Sequence, residues 1–99
     1  MFNRENLIYK DYKWDLNYPI EEPKTIDSKD QTTLNRYEGN ELIYYIRCLA
    51  LSWNWKLDAI RSCQKLEKTI RDKVPATLTE YGEIKFWIEN NFKNFWDDL

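Results

Sequence analysis

The sequence predicts a mainly α-helical fold, in which three helices pack together and an extended N-terminal arm lies against them. The run from Leu42 to Trp53 is apolar on nearly all sides when wound as a helix, which is typical of a buried helix. Two later segments also carry apolar residues at helical spacing, whereas two of the three prolines lie within residues 1–39. A short β-hairpin in the arm, which would make the fold α+β, is the alternative.

The length of the chain fits one domain with one core. It has 99 residues, of which we assign 1–39 to the extended arm and 40–99 to the helical core. Five Trp, seven Tyr and four Phe supply large apolar groups. Disordered chains are poor in such residues, so the composition indicates a globular protein.

The arm contains a stretch with alternating side chains. In residues 7–16, bulky groups such as Tyr12 and Trp14 fall on one face at a period of two, which favours an extended segment or a short strand. A strand needs a partner, and residues 31–37 are the candidate second strand of a hairpin. The two prolines between these segments predict an extended connection.

The apolar run forms the first helix, and the second follows closely. Asn40 is the predicted N-cap, with Glu41 favourably placed in the first turn. Asn54 divides this helix from the second, which we place at residues 55–73 and which Pro75 ends. The second helix has an apolar stripe with a charged opposite face. The stripe consists of Leu57, Ile60, Cys63, Leu66, Ile70 and Val74.

A capping box opens the third helix. Thr77 and Glu80 have the required spacing just before an apolar periodic run, so we place this helix from Leu78 to about Trp96. Gly82 lies inside it, where glycine costs about 1 kcal/mol relative to alanine, and we expect another segment to approach closely there. The apolar stripe is Tyr81, Ile84, Trp87 or Ile88, Phe92, Phe95 and Leu99.

Charge and hydropathy limit the classes of partner. The net charge is −2, whereas proteins that grip nucleic acid usually carry a basic excess. The longest apolar run has about twelve residues against about 20 for a membrane span, and Arg47 lies within it. We therefore expect no membrane association and an intracellular, cytoplasmic location. The content of Lys, Asn, Tyr and Trp is similar to that of small proteins from phages, archaeal viruses and plasmids. For a protein of such origin, the expected location is the cytoplasm of the host cell.

No residue pattern indicates catalysis. The chain has no histidine, so Cys48 and Cys63 lack the partners for a usual zinc site or an activated thiol. We expect both to be small buried apolar residues, with a disulfide between them as the alternative. Paired carboxylates such as Glu80 and Glu83 are explained by their place in the first turn of a helix. With no phosphate-binding loop or dinucleotide fingerprint, we expect no enzyme, no metal and no cofactor.

Exposed aromatic residues are the leading candidates for function. Aromatic side chains dominate binding hot spots, and a chain this small cannot easily bury all that it has. We expect a protein-binding module or a homodimer. The candidate partner-binding residues are Tyr12, Trp14, Phe86, Trp87 and Trp96.

A basic row on the second helix offers an alternative function. Arg61, Lys65 and Lys68 share one helical face and could follow a phosphate backbone, which predicts a nucleic-acid-binding protein. Against this, Asp58 precedes Arg61 by three residues and Asp72 follows Lys68 by four, which favours intrahelical ion pairs on a solvated face.

Arg47 tests the packing. Inside a helix that is apolar all round, its guanidinium must reach solvent or find an acceptor, and we expect an acidic partner from the arm or the third helix.

Overall fold

Three α-helices and a short 3-10 turn form the regular structure of residues 1–56 and 58–91, which are the part of the chain that the computed structural model describes. The helices are α1 (Gly39–Ser52), α2 (Ile60–Asp72) and α3 (Tyr81–Asn91), and the 3-10 turn is Arg4–Asn6. The fold is mainly α, as the sequence predicts. The predicted continuation of α3 through Trp96, and the stripe residues Leu57, Phe92, Phe95 and Leu99, lie outside the described residues.

Helix α1 lies at the centre. Its residues Leu42, Tyr45, Ile46 and Leu49 are each 0% exposed, because the arm and both other helices pack around them. The buried side chains of the described residues form one hydrophobic cluster. The arm contributes Phe2, Leu7, Tyr12, Ile26 and Leu34, α2 contributes Cys63, Leu66 and Ile70, and α3 contributes Tyr81, Ile84 and Ile88.

The N-cap of α1 lies two residues before the predicted one, Asn40. Glu38 is the N-cap, and its carboxylate accepts a hydrogen bond from the Asn40 backbone N–H at 3.3 Å. Gly39 is the first helical residue. A Cβ at this position would lie 2.5 Å from carbons of the Trp14 indole, so the missing side chain lets Trp14 cover the start of the helix.

The end of α1 explains why α2 starts later than predicted. Asn54 has a φ of 57° and follows the C-cap Trp53, and its N–H donates to Leu51 while the N–H of Trp55 donates to Ala50. This is the Schellman arrangement, with asparagine in the left-handed position. Asn54 therefore ends α1 rather than capping α2, and a turn intervenes before α2 begins at residue 60 instead of 55.

Arg36 binds the end of α2. Its guanidinium donates to the carbonyls of Ile70 and Val74 at 2.9 and 2.7 Å, and to those of Pro75 and Leu78, both at 2.7 Å. The Ile70 carbonyl belongs to the last turn of α2, where carbonyls have no partner within the helix, and the other three belong to the segment that follows. The forked side chain, with its five donors, therefore ties the end of α2 to residues 74–78. Burial lowers the pKa of Arg36 from its ordinary value.

The arm pairs with the helical part through single bridges. Lys13 forms a parallel bridge with Glu38, in which the Lys13 N–H donates to Tyr37 at 2.8 Å and the Gly39 N–H donates to Lys13 at 2.8 Å. An antiparallel bridge joins Thr33 to Glu80. The first bridge does bring the two predicted segments together, but a hairpin needs antiparallel strands. The alternative hairpin is therefore wrong for the described residues.

Helix α3 packs under a loop of the arm. A Cβ on Gly82 would lie 2.3 Å from the carbonyl oxygen of Ser28, and the Gly82 N–H donates to Asp30 at 2.9 Å. The expected close approach at Gly82 is thus confirmed. The helix starts at Tyr81, three residues later than predicted, where the Glu83 carboxylate accepts from the N–H groups of residues 79 and 80.

Arg47 has the predicted acidic partner. Its guanidinium lies 3.7 Å from the carboxylate of Glu21 in the arm, and it also donates to the carbonyls of Phe2 at 2.7 Å and Ile20 at 2.5 Å. The side chain of Glu21 is 84% exposed, so this ion pair contributes little in water. The two carbonyls are the stronger partners, because they accept from a buried cation.

Candidate functional site

The most polar buried site in the described residues surrounds Glu67 on α2. Its side chain is 0% exposed and accepts three hydrogen bonds from the arm. The donors are the N–H of Ile8 at 2.8 Å, the N–H of Tyr9 at 3.1 Å and the hydroxyl of Tyr12 at 2.6 Å. We call this group the Glu67 anchor. It satisfies a buried carboxylate with donors and fixes residues 8–12 against α2.

A stacked arginine continues the Glu67 anchor toward solvent. The Arg71 guanidinium lies 4.5, 4.9 and 4.5 Å from the ring centroids of Tyr9, Tyr12 and Tyr37, and it donates to Asp11 at 3.0 and 2.7 Å. The hydrogen bond from Arg71 lowers the pKa of Asp11. Burial, followed by the hydrogen bond to Glu67, raises the pKa of Tyr12. The ion pair with Asp11 and the contacts between Arg71 and the tyrosine rings therefore hold this part of the arm against α2.

Two further buried carboxylates bind backbone groups in the same way. Glu41, 2% exposed, accepts from the N–H of Asn35 at 3.0 Å and from the hydroxyl of Tyr81 at 2.9 Å. Glu38, also 2% exposed, accepts from Asp15 as well as capping α1. Because these oxygens already accept hydrogen bonds that position the chain, the buried carboxylates have a structural role.

Sequence reasoning missed the Glu67 anchor, although a signal was present. Glu67 follows Cys63 by four residues and precedes Ile70 by three, which places it on the apolar stripe of α2. A carboxylate on the buried side of a helix must have donors. Nothing in the sequence states that these donors are Ile8 and Tyr9.

The predicted aromatic contacts on the arm lie inside the fold. Tyr12 is 8% exposed and belongs to the Glu67 anchor. Trp14 is partly buried against the core, and the Arg4 guanidinium lies 4.0 Å from its ring centroid. A role for either residue in partner binding stays a prediction, and for Tyr12 it would require the arm to leave the core.

The predicted contacts on α3 have different surroundings. Phe86 is 60% exposed, the largest exposed fraction among the large apolar side chains of the described residues. Trp87 is partly buried and packs against the core. Trp96 lies outside the described residues. The structure thus leaves Phe86 as the candidate that is open to a partner.

The basic row lies on α2 without the expected ion pairs. Arg61 and Lys68 are exposed and Lys65 is partly exposed. Neither Arg61 nor Lys68 forms an ion pair with a carboxylate in the described ranges. Asp72, the expected partner of Lys68, instead accepts a hydrogen bond from the hydroxyl of Tyr9. The two intrahelical pairs that the spacing favours are therefore not formed.

The cysteines are free thiols within the core. Cys48 is 0% and Cys63 is 5% exposed, and no disulfide joins them. Burial raises the pKa of Cys63 to about 11 and also raises that of Cys48. Both behave as small apolar residues, as expected, and the alternative disulfide is wrong.

A small cavity lies between the arm and the helices α1 and α3. Its volume is about 280 Å³, and its walls include Tyr18, Tyr44 and Tyr81 with Lys24 and Asp30. The Tyr18 and Tyr44 ring centroids are 5.8 Å apart at an interplanar angle of 38°. Across the described part of the chain, no three cysteine or carboxylate side chains come together in a way that could hold a metal ion.

None of the helices within the described ranges has the length and apolarity that crossing a bilayer requires. No family model, curated protein or solved structure matches this chain.

Proposed function

We propose that this protein is a small binding module without catalytic activity, which binds a protein partner or a second copy of itself through the outer surface of α3. The observation that carries the proposal is the exposure of Phe86. At about 100° per residue, Phe86 lies almost opposite the buried Tyr81, Ile84 and Ile88. Most of its surface therefore adds nothing to the packing of this chain alone.

Burial of Phe86 against another protein would be favourable. A phenylalanine side chain gains about 1.5–3 kcal/mol when it moves from water into an apolar contact. Aromatic side chains are common at binding hot spots, because they bury a large area with few rotatable bonds. The absence of catalysis is supported by the buried carboxylates, whose oxygens accept the hydrogen bonds that hold the arm and α1.

Sedimentation velocity tests whether the partner is a second copy. If it is, the wild-type chain sediments as a dimer, and Phe86→Asp gives a monomer. Leu16→Asp is the matched control, since Leu16 is 48% exposed on the arm and should leave the dimer intact. Equal dissociation by both variants would contradict a specific role for Phe86.

Cross-linking tests the case of a monomer. A photoreactive amino acid at position 86 should capture one defined protein in cells that make this chain, whereas the same group at position 16 should not. A monomer without a specific cross-link at position 86 would contradict the proposal.

Nucleic-acid binding through α2 is a second candidate, and one observation favours it. Arg61 and Lys68 have no ion pair with any carboxylate in residues 1–56 and 58–91. Their positive charges are therefore available to bind the phosphate groups of a nucleic acid. The net charge of −2 opposes it. Binding to labelled single-stranded and duplex oligonucleotides at several salt concentrations tests this candidate.

The salt dependence should identify the residues involved. Replacing Arg61, Lys65 and Lys68 with Gln should reduce the slope of log affinity against log salt by about 2–3, because each lost phosphate contact removes about 0.7–0.9. Lys13→Gln with Lys29→Gln is the control on the arm, and it should leave the slope unchanged. No measurable affinity at low salt would rule out this candidate.

A further inference from the structure

The cavity lined by Tyr18, Tyr44 and Tyr81 is partly open to solvent. Its volume is about 280 Å³, and Asp30 and Lys24 are the charged residues among those that line it. This volume lies just below the range of about 300–1,000 Å³ that is typical of small-molecule sites, so a ligand here would be small.

Negative charge surrounds the rings. Glu41 accepts a hydrogen bond from the hydroxyl of Tyr81, and Asp30 forms part of the wall. Burial raises the pKa of Tyr18, Tyr44 and Tyr81. Glu41 raises it further at Tyr18 and Tyr81, whereas at Tyr44 the further rise comes from Cys48 first and then from Asp30. An anion placed among these groups would be repelled.

We propose that this cavity binds an alkylated ammonium group, with the rings of Tyr18 and Tyr44 as its walls and Asp30 as its counter-ion. Aromatic faces attract organic cations, and methylated ammonium groups are held in this way because they are weakly hydrated and bulky. A calcium or magnesium ion fits less well, since such ions need about six oxygen ligands and this cavity offers one carboxylate. The proposal does not depend on the proposed function.

Lys24 sets a limit on the affinity. It lines the same cavity and is exposed, and its ammonium group would repel a bound cation. Asp30 offsets this charge within the lining, and Glu41 adds a second negative charge behind Tyr81. Lys24→Gln should therefore strengthen binding of a cation, which distinguishes a cation site from a site for an anion or a neutral ligand.

Choline and its neutral isostere test the proposal directly. In the isostere a carbon atom replaces the nitrogen, so the shape is kept and the charge is removed. We expect choline chloride to shift the NMR signals of residues around Tyr18, Tyr44 and Asp30 in the full chain. Sodium chloride at equal ionic strength and the neutral isostere should leave these signals unchanged. Equal binding of choline and its isostere would overturn the proposal. It would also be overturned if the wild type binds neither of them and fails to bind the methylated peptide described below.

Ring-preserving and ring-removing variants identify the residues. Tyr44→Phe should bind choline as the wild type does, whereas Tyr44→Leu should bind about tenfold more weakly, because a desolvated cation–aromatic contact is lost. Asp30→Asn keeps the oxygen that accepts from the Thr32 N–H at 2.9 Å and should also weaken binding. Equal affinity of the Phe and Leu variants would overturn the assignment of Tyr44.

A peptide distinguishes the source of the cation. A short peptide with one trimethylated lysine is compared with the same peptide unmethylated. Binding of choline alone indicates a free small molecule, and binding of the methylated peptide alone indicates a protein-borne group. Either result supports the site, whereas equal binding of both peptides with no binding of choline would overturn it.

Discussion

Glu67 is the residue on which the position of the arm most depends. It is fully buried, and its two oxygens accept from Ile8, Tyr9 and Tyr12. Hydrogen bonds to a charged acceptor are worth more than neutral ones, and loss of the acceptor leaves buried donors without a partner. One side chain on α2 therefore holds several residues from the other end of the chain.

A Glu67→Gln substitution should lower the free energy of unfolding by about 2–3 kcal/mol. The amide keeps the size of the side chain but replaces one acceptor oxygen with a group that donates, so at least one donor of the arm loses its acceptor. Urea unfolding followed by circular dichroism measures the change. Glu22→Gln is the control, because Glu22 is exposed and the change should stay within about 0.5 kcal/mol. Equal stability of the two variants would contradict the role of the Glu67 anchor.

The helices show why secondary structure was easier to predict than its ends. The continuous apolar run around Tyr45 and the periodic apolar stripe of α2 are enough to predict that these two helices exist. Their ends depend on local chemistry with more than one solution. Asn54 could cap a following helix or close a preceding one, and the close spacing of Trp53 and Trp55 did not reveal the turn between α1 and α2.

Gly82→Ala tests the packing of α3. Alanine favours a helix over glycine by about 1 kcal/mol, so propensity alone predicts stabilisation. The new Cβ would lie 2.3 Å from the Ser28 carbonyl oxygen, which is backbone and must be displaced. We expect a net loss of about 1–3 kcal/mol in thermal or urea unfolding. Asn90→Ala, at an exposed site of the same helix, should be neutral or slightly stabilising. A stabilised Gly82→Ala variant would show that the loop moves freely.

Glu89 makes the contact between α3 and the end of α1 dependent on pH. Burial alone would raise its pKa, but hydrogen bonds from Trp53 at 2.8 Å and Lys85 at 3.0 Å lower it below the ordinary 4.5. A carboxyl whose pKa is lowered by folding stabilises the fold above its unfolded pKa. We expect this contribution to be complete above pH 4.5 and lost as the pH falls through the folded value.

Urea unfolding at a series of pH values measures this contribution. Glu89→Gln should be less stable than the wild type at neutral pH, and the difference should shrink as the pH falls below 4.5. Glu22→Gln serves as the control without such a difference. A wild-type advantage that stays constant down to low pH would contradict the prediction.

At the scale of the whole molecule, residues 1–56 and 58–91 form one core, and the arm that encloses it mostly lacks regular structure. The buried groups of the described residues form one cluster, and the arm joins it through Phe2, Leu7 and Tyr12. The sequence predicted aromatic surface on the arm because it does not reveal how an irregular segment folds back. Tyr12 became a core residue through Glu67, and Phe86 stayed exposed because α3 buries its opposite side. Among the candidate binding residues, the sequence could separate exposed from buried side chains only on the helices, where periodicity distinguishes the two sides.

Both thiols should react only when the whole molecule unfolds. Cys48 and Cys63 are buried, so an aromatic disulfide reagent cannot reach them in the folded chain. We expect the modification rate to follow the unfolding equilibrium in urea, and a reducing agent to leave Tm unchanged. Rapid modification without urea would contradict the burial.

Folding raises the pKa of Cys63 from 9.0 to about 11. The stabilising contribution of the protonated thiol should therefore disappear as the pH rises through this range.

The distance along the chain between Glu67 and its donors affects the order of events during synthesis. Ile8 and Glu67 are 59 residues apart, so the arm leaves the ribosome several seconds before its acceptor, at about 5–20 residues per second. During that interval Tyr9 and Tyr12 lack their partners on α2, Glu67 and Arg71, so this part of the arm can be fixed only after α2 has emerged.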